Sequence, residues 1–319
     1  MNALELLRTN LLAPIFLAFL LGWVATWVRS DLKFPDGLYS GLSAYLMLAI
    51  GLKGGAELNH AQPAQLIGPI VATMILSIAT PGIAYLASRK LFGYEKADAA
   101  ALAAHYGSVS AVTFIAATSF AEAAHITAPG FMPALVAILE IPAIVVGLAL
   151  GRSGNEEPLG KSLRQLVTSK SIFLLLGGLI IGLLSTKASL TQIQPLFGDL
   201  FKGALVIFML DMGLIASARF KEVRGHAVRL IGFGVIVPVI NGLVGTFLGL
   251  KAGLPIGGAG VLGTMAASAS YIAAPAAVRS ALPSANPGIY LPAAIAITFP
   301  FNLSLGIPLF FEAARWMYR

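Results

Sequence analysis

Apolar residues in this chain fall into long runs, and the polar residues gather in short stretches between them. A helix needs ~20 mostly apolar residues, within a range of about 17–25, to cross the hydrocarbon of a bilayer. Ten runs approach that length, over roughly 11–28, 36–55, 66–87, 97–119, 131–151, 170–186, 200–219, 229–250, 257–281 and 289–311. They predict an all-α membrane protein of about ten transmembrane helices. The first run follows Arg8 as the core of a signal peptide would. It lacks a clear small-x-small cleavage site, and Trp23 and Trp27 close it like interfacial anchors, so it reads as a span.

Composition agrees. A chain of 319 residues has room for two soluble domains, but 57% of it is hydrophobic and only 11% is charged. Soluble proteins carry roughly 25% charged residues, so this chain has too few to cover a water-facing surface. The absence of cysteine excludes disulfides, cysteine zinc sites and thiolate catalysis. The net charge of +7 does not point to nucleic acid, because the basic residues sit in the connections between runs. Their distribution sets an orientation. The odd-numbered connections hold fourteen Lys and Arg, among them Arg89, Lys90, Arg164 and Arg229; the termini and even-numbered connections hold seven, among them Lys53 and Lys202. Both termini are therefore expected outside, with the longest polar stretch, 151–170, as a cytoplasmic linker. The 34 Gly and 18 Pro exceed what plain anchor helices need and suggest close packing or interrupted helices.

The linker divides the chain into a first five-helix repeat, 1–150, and a second, 171–319. Five is odd, so two similar halves would be inverted relative to each other. Run 4 contains GSVSAVTFIAA (107–117) and run 9 ASASYIAAPAA (267–277). Run 5 places Glu140 two residues before Pro142, and run 10 places Thr298 two before Pro300. Run 2 has IGLKGGAEL (50–58) where run 7 has MGLIASARF (212–220). The three matches fall in the same order and predict a five-plus-five inverted repeat with interrupted helices 4 and 9. A broken helix exposes backbone N–H groups at its new N-terminus, which hold an anion without a buried lysine; free carbonyls at the other end can ligate a small cation.

Gly107, Ser108, Ser110 and Thr113 in run 4, and Ser268, Ser270 and Tyr271 in run 9, are the candidate anion-binding residues. The alternative is that small hydroxyl residues pack helix interfaces and bond to their own carbonyls. Glu140, mid-run, is a candidate for ligating Na+ or carrying a proton, since an ionisable group at membrane depth is costly; a helix-tying carboxylic acid is the alternative. Thr298 and Asn302 are its neutral counterparts, with oxygens suited to a hard cation. Asp211 in run 7 is a second buried acid, open to ion coupling or helix bonding. His105 has no second ligand at metal spacing and reads as gate-lining or packing. Asn241 reads as helix glue, the series Gly242, Gly245, Gly249 as close packing, and Lys53 as snorkelling to the interface. LPSANPG (282–288) is turn chemistry. There is no HExxH zinc pattern and no acyl-transfer constellation, so an enzyme is not expected and no cofactor is implied.

GSVSAVTF (107–114), the Glu140–Pro142 element, FMLDMGLIASARF (208–220) and AASASYIAAPAAVRSALPSANPGIYL (266–291) resemble the sodium-dependent bicarbonate transporter family, first recognised in cyanobacteria, over nearly the whole chain. The resemblance implies ten spans in a core-and-gate arrangement, homotrimers, and Na+-coupled uptake of bicarbonate bound between interrupted spans 4 and 9. It also implies residence in the bacterial inner membrane, and a PII-like cytoplasmic regulator binds cyanobacterial members. Three features depart from the cyanobacterial pattern. Glu140 stands where an Asp precedes Ile-Pro, Tyr271 replaces an acidic residue, and the linker is short. The donors at the serine clusters suit bicarbonate, a 2-oxo acid or another small carboxylate equally. A passive anion channel, a proton-coupled carboxylate transporter and a regulator-binding scaffold are the competing expectations; a buried acid and paired polar helix breaks speak for coupled transport.

Overall fold

The computed structural model describes residues 3–35, 37–152, 159–225 and 227–319; the middle of the expected 151–170 linker, 153–158, lies outside them. Among the described residues every regular element is helical. The helices are α1 (Ala3–Leu11), α2 (Pro14–Trp27), α3 (Leu38–Leu58), α4 (Pro63–Lys90), α5 (Lys96–Gly107), α6 (Ala111–Ala123), α7 (Met132–Gly151), α8 (Leu159–Val167), α9 (Lys170–Leu184), α10 (Lys187–Gln194), α11 (Phe201–Phe220), α12 (Ala227–Lys251), α13 (Ile256–Ala266), α14 (Ala274–Ala281), α15 (Pro287–Pro292), α16 (Phe299–Phe301) and α17 (Ile307–Tyr318). Proline opens several of them, at Pro14, Pro63, Pro133, Pro275 and Pro287, where its missing N–H costs no helical bond. Asn286 of the predicted turn caps α15 by accepting the Gly288 N–H at 2.9 Å.

Helix lies over each of the ten predicted runs. Among the described residues six helical stretches are long and apolar enough to cross a membrane, and the pair α1 and α2, bent by 56°, makes a seventh if it is one broken span. The others fall short for identifiable reasons. Helix α9 has 15 residues, α13 stops after 11 at a break, and α3 is diluted by serine, glycine and Lys53. The first run also differs from expectation at its start. Leu11 closes α1, residues 12–13 form a corner, and Pro14 starts α2 on a new axis.

Two groups of helices emerge. In the first, α3 packs along α9 and α2 along α11, both at glycines. A Cβ on Gly51 would stand 2.5 Å from the Leu175 carbonyl oxygen and one on Gly178 2.8 Å from that of Leu48. In the other pair, a Cβ on Gly213 would stand 2.1 Å from the Phe19 oxygen and one on Gly22 2.0 Å from that of Leu210. In the second group, α4, α5 and α7 pack on one another, as do α12, α13 and α17, with α4 against α12 joining the sets. The broken span Lys96–Ala123 runs inside this second group, and its most apolar stretch is wholly buried by protein. Its alanine-rich start allows that approach: a Cβ on Gly147 of α7 would lie 2.4 Å from Ala104. Gly242, Gly245 and Gly249 pack on Phe310, Ala266 and Ala259, as close-packing glycines should. The string GAGVLG at 258–263 has the spacing of a dinucleotide loop but lies inside α13 with no strand before it.

The last span is less regular than its sequence suggests. Ala293–Thr298 and Asn302–Gly306 are π-helical, on either side of α16. Pro292, Pro300 and Pro308 each remove a helical donor, which favours these wider turns. Asn10 of α1 donates to the Ser304 carbonyl at 3.1 Å and also to that of Leu303, so α1 covers the second wide turn.

Candidate functional site

The candidate site is built where two helices stop and restart. Helix α5 ends at Gly107, residues 108–110 are extended, and α6 resumes at Ala111. Helix α13 ends at Ala266, and α14 begins at Ala274. The two irregular segments cross in contact. The Ser110 N–H donates to the Ser268 hydroxyl oxygen at 2.8 Å, and the Ser270 N–H donates to the His105 carbonyl at 2.8 Å. Backbone groups that the breaks expose are thereby partly satisfied by each other. Helix α4 clamps the first break from the side: the Thr80 hydroxyl, bonded to the Leu76 carbonyl at 2.8 Å, also reaches the Gly107 carbonyl at 3.2 Å, and a Cβ on Gly107 would come within 2.7 Å of Pro81.

The serines divide by role. Ser110 caps α6 by accepting the Thr113 N–H at 3.2 Å, and Ser270 accepts the Ala274 N–H of α14 at 3.4 Å. These caps use the oxygens and leave both hydroxyl protons able to donate. Ser268 has no such freedom, because its hydroxyl donates to the Met265 carbonyl at 2.7 Å while accepting from Ser110. Its place is structural. Ser108, Thr113 and Tyr271 are different again. All three are buried; the Ser108 and Thr113 hydroxyls have no hydrogen-bond partner among the described residues, and the Tyr271 hydroxyl has only the Ser110 hydroxyl near it, outside good hydrogen-bond geometry. Leaving a buried hydroxyl unsatisfied costs ~1–3 kcal/mol, so a polar ligand at the crossing would be stabilised by relieving them.

The coupling candidates are not gathered into one cluster. Glu140 of α7 is 5% exposed and makes no hydrogen bond or ion pair among the described residues. Helices α7 and α5 run antiparallel, with Gly147 against Ala104 and Gly151 against Ala100. Continued seven residues, or ~10 Å at 1.5 Å per residue, that register brings Glu140 to the depth of the break. Pro142 has no N–H, so the Ile138 carbonyl, in the same turn of α7, lacks its helical donor. Thr298 is engaged with protein: it donates to the Gly234 carbonyl at 2.7 Å, and its oxygen lies 2.6 Å from the Tyr106 hydroxyl. Asn302 donates to the Ala267 carbonyl at 2.9 Å, tying the second break, while its Oδ1 has no partner. Asp211 belongs to the other helix group, on α11, near Tyr39; Tyr39 in turn lies near Tyr271. It therefore approaches the crossing from across the interface between groups and not from Glu140's side.

His105 is fully buried, with its Nδ1 2.7 Å from the Ala101 carbonyl and its ring against Tyr290, 4.6 Å between centroids. It packs at the crossing instead of lining an open gate. Asn241 reaches the Tyr106 carbonyl only at 3.5 Å, a weak tie between helices. Lys53 does more than reach toward an interface, since it pairs with Glu122 at 3.6 Å. Tyr106, Thr80 and Asn10 were not legible as site supports. Tyr106 directly precedes the Gly107 break, which is the one signal that could have found it.

An apolar body, helical throughout its described regular elements and built around two crossing helix breaks, is that of a multi-pass membrane protein. The model of the Na+-dependent bicarbonate transporter superfamily matches residues 14–315, and the chain belongs to that superfamily, a family of transporters and not of enzymes. Among curated proteins none matches the chain.

Proposed function

We propose that the protein is a secondary transporter that takes up bicarbonate or a similar small anion together with Na+ by alternating access. The observation that carries this reading is the pair of buried, partnerless hydroxyls of Ser108 and Thr113, with Tyr271 beside Ser110, at the crossing of the two helix breaks. Two N-terminal ends and several hydroxyl donors give an anion what water gave it, without a fixed buried cation. Na+ binds at Glu140 and the carbonyls loosened by Pro142, and it offsets the anion's charge.

Alternating access needs two related arrangements of similar halves. The glycine contacts support a five-plus-five inverted repeat of ten spans. Gly51 and Leu48 meet Leu175 and Gly178 as Gly213 and Leu210 meet Phe19 and Gly22. The residues are three apart in every case, so one contact is the other with the halves exchanged. The groups of α2, α3, α9 and α11 and of the remaining long helices then act as gate and core. Both termini lie outside the bacterial inner membrane, with the linker in the cytoplasm. A homotrimer and a PII-like cytoplasmic regulator belong to the proposal through the family resemblance alone.

The test is uptake of labelled bicarbonate into proteoliposomes with and without an inward Na+ gradient. Uptake that follows the Na+ gradient is the expected result. Uptake driven only by an imposed proton gradient assigns Glu140 to proton carriage, and uptake indifferent to both gradients makes the protein a passive anion pathway.

A further inference from the structure

A cavity of about 460 Å3 opens at the end of the molecule where α3 and α6 finish and α11 begins. Its wall follows α6 from Glu122, in the last turn, through Ser119 to Phe114, one helical turn from Ser110 at the crossing. Across it stand Ile50 and Lys53 of α3 and Lys202 of α11. Three charges meet at its mouth. Lys202 Nζ is 2.9 Å from one Glu122 carboxylate oxygen, and Lys53 Nζ is 3.6 Å from the other. The carboxylate comes from the helix group that holds the two breaks. Both ammonium groups come from the glycine-packed group of α2, α3, α9 and α11. Glu57, whose side chain lies over Gly130, and Asp199 are the other charged residues of the wall.

We infer that Glu122, Lys53 and Lys202 form an ionic latch between the two helix groups, made while this cavity is open and broken when the groups move past each other. The placement supports it. The Arg219–Glu222 and Arg315–Glu312 pairs, by contrast, are local, three residues apart. One carboxylate serves two lysines from two different helices, so a shift of α6 strains both pairs at once. The side chains are 47%, 70% and 68% exposed. Exposed pairs of this kind are weak and are screened by salt, which suits a contact remade in every cycle. The latch rests on the reading that the two groups move relative to each other, but its test needs neither substrate nor gradient.

Because the chain has no cysteine, Ser119→Cys places a single thiol in the cavity wall. The full chain with this substitution, in lipid nanodiscs, is labelled with a water-soluble maleimide, and the rate is measured. Adding Glu122→Gln should slow labelling by about two- to tenfold, the range that two weak pairs support. Lys202→Gln should slow it less. Raising salt should slow labelling of the Ser119→Cys protein and leave the Glu122→Gln variant unchanged. Exchanging the charges, Glu122→Lys with Lys53→Glu and Lys202→Glu, should restore the rate. Labelling that is indifferent to Glu122→Gln, or equally salt-sensitive with and without it, overturns the latch. Should Glu122→Gln not yield a monodisperse protein, the Lys202→Gln rate and the salt response of the parent decide in the same way. A latch seen here beside absent anion uptake would overturn the transport reading alone.

Discussion

Ser108, Thr113 and Ser268 sit within one crossing and carry the same functional group, yet their replacement should have opposite consequences. Ser108→Ala and Thr113→Val delete hydroxyls that have no hydrogen-bond partner among the described residues. Folding should tolerate both changes, while anion affinity falls about tenfold to a hundredfold, the ~1.5–3 kcal/mol of a hydrogen bond to a charged group. Ser268→Ala removes the acceptor of the Ser110 N–H. A buried donor is then stranded, and thermal stability should drop by ~1–3 kcal/mol whether or not anion is present. Thermal unfolding in detergent, with and without bicarbonate, separates the two. Equal destabilisation by all three substitutions would return the partnerless hydroxyls to packing. The serine clusters were legible in the sequence because they recur in both halves. Their division into caps, tie and free hydroxyls was not, because it depends on how one break lies across the other.

At the scale of elements, the helix pairs of the first group stand on close backbone approach. A Cβ on Gly55 would lie 2.1 Å from the Leu179 oxygen, against backbone that cannot swing aside. Gly55→Val should therefore force α3 from α9 and lower the melting temperature sharply, whereas Gly41→Ala, where a Cβ meets nothing within 4 Å, should leave it unchanged or raise it slightly. A matched pair of melting curves checks this. The breaks in α5–α6 and α13–α14 were visible beforehand, since glycine and alternating serine interrupt apolar runs there. The 56° corner before Pro14 and the π-helical turns of the last span were not. Proline announced a disturbance at Pro292, Pro300 and Pro308, but its form follows from neighbours such as Asn10, which comes from the far end of the chain to bond the freed carbonyls. The same distance in sequence hid the tie from Tyr106 to Thr298.

For the whole molecule, the proposed function requires that an ion bound in one place be felt by an anion in another. Glu140 was singled out by its sequence position alone, and it is buried and without a partner among the described residues, while Asp211 stands in the other helix group. Of the two acids, then, only Glu140 shares a rigid group with the crossing, through α7 packed on α5. On the proposed reading, Na+ at Glu140 and an anion at the breaks would attract each other, and by linkage each would raise the other's affinity by the same factor. Glu140→Gln keeps the size and the hydrogen-bonding capacity but removes the charge. It should abolish the Na+ dependence of uptake and leave the protein folded and extractable. Asp211→Asn should keep Na+ dependence and change at most the rate. The measurement is labelled-anion uptake against Na+ concentration at two pH values for the parent and both variants. Na+ dependence that survives Glu140→Gln and is lost in Asp211→Asn would move the coupling site across the interface, to the group that carries Tyr39.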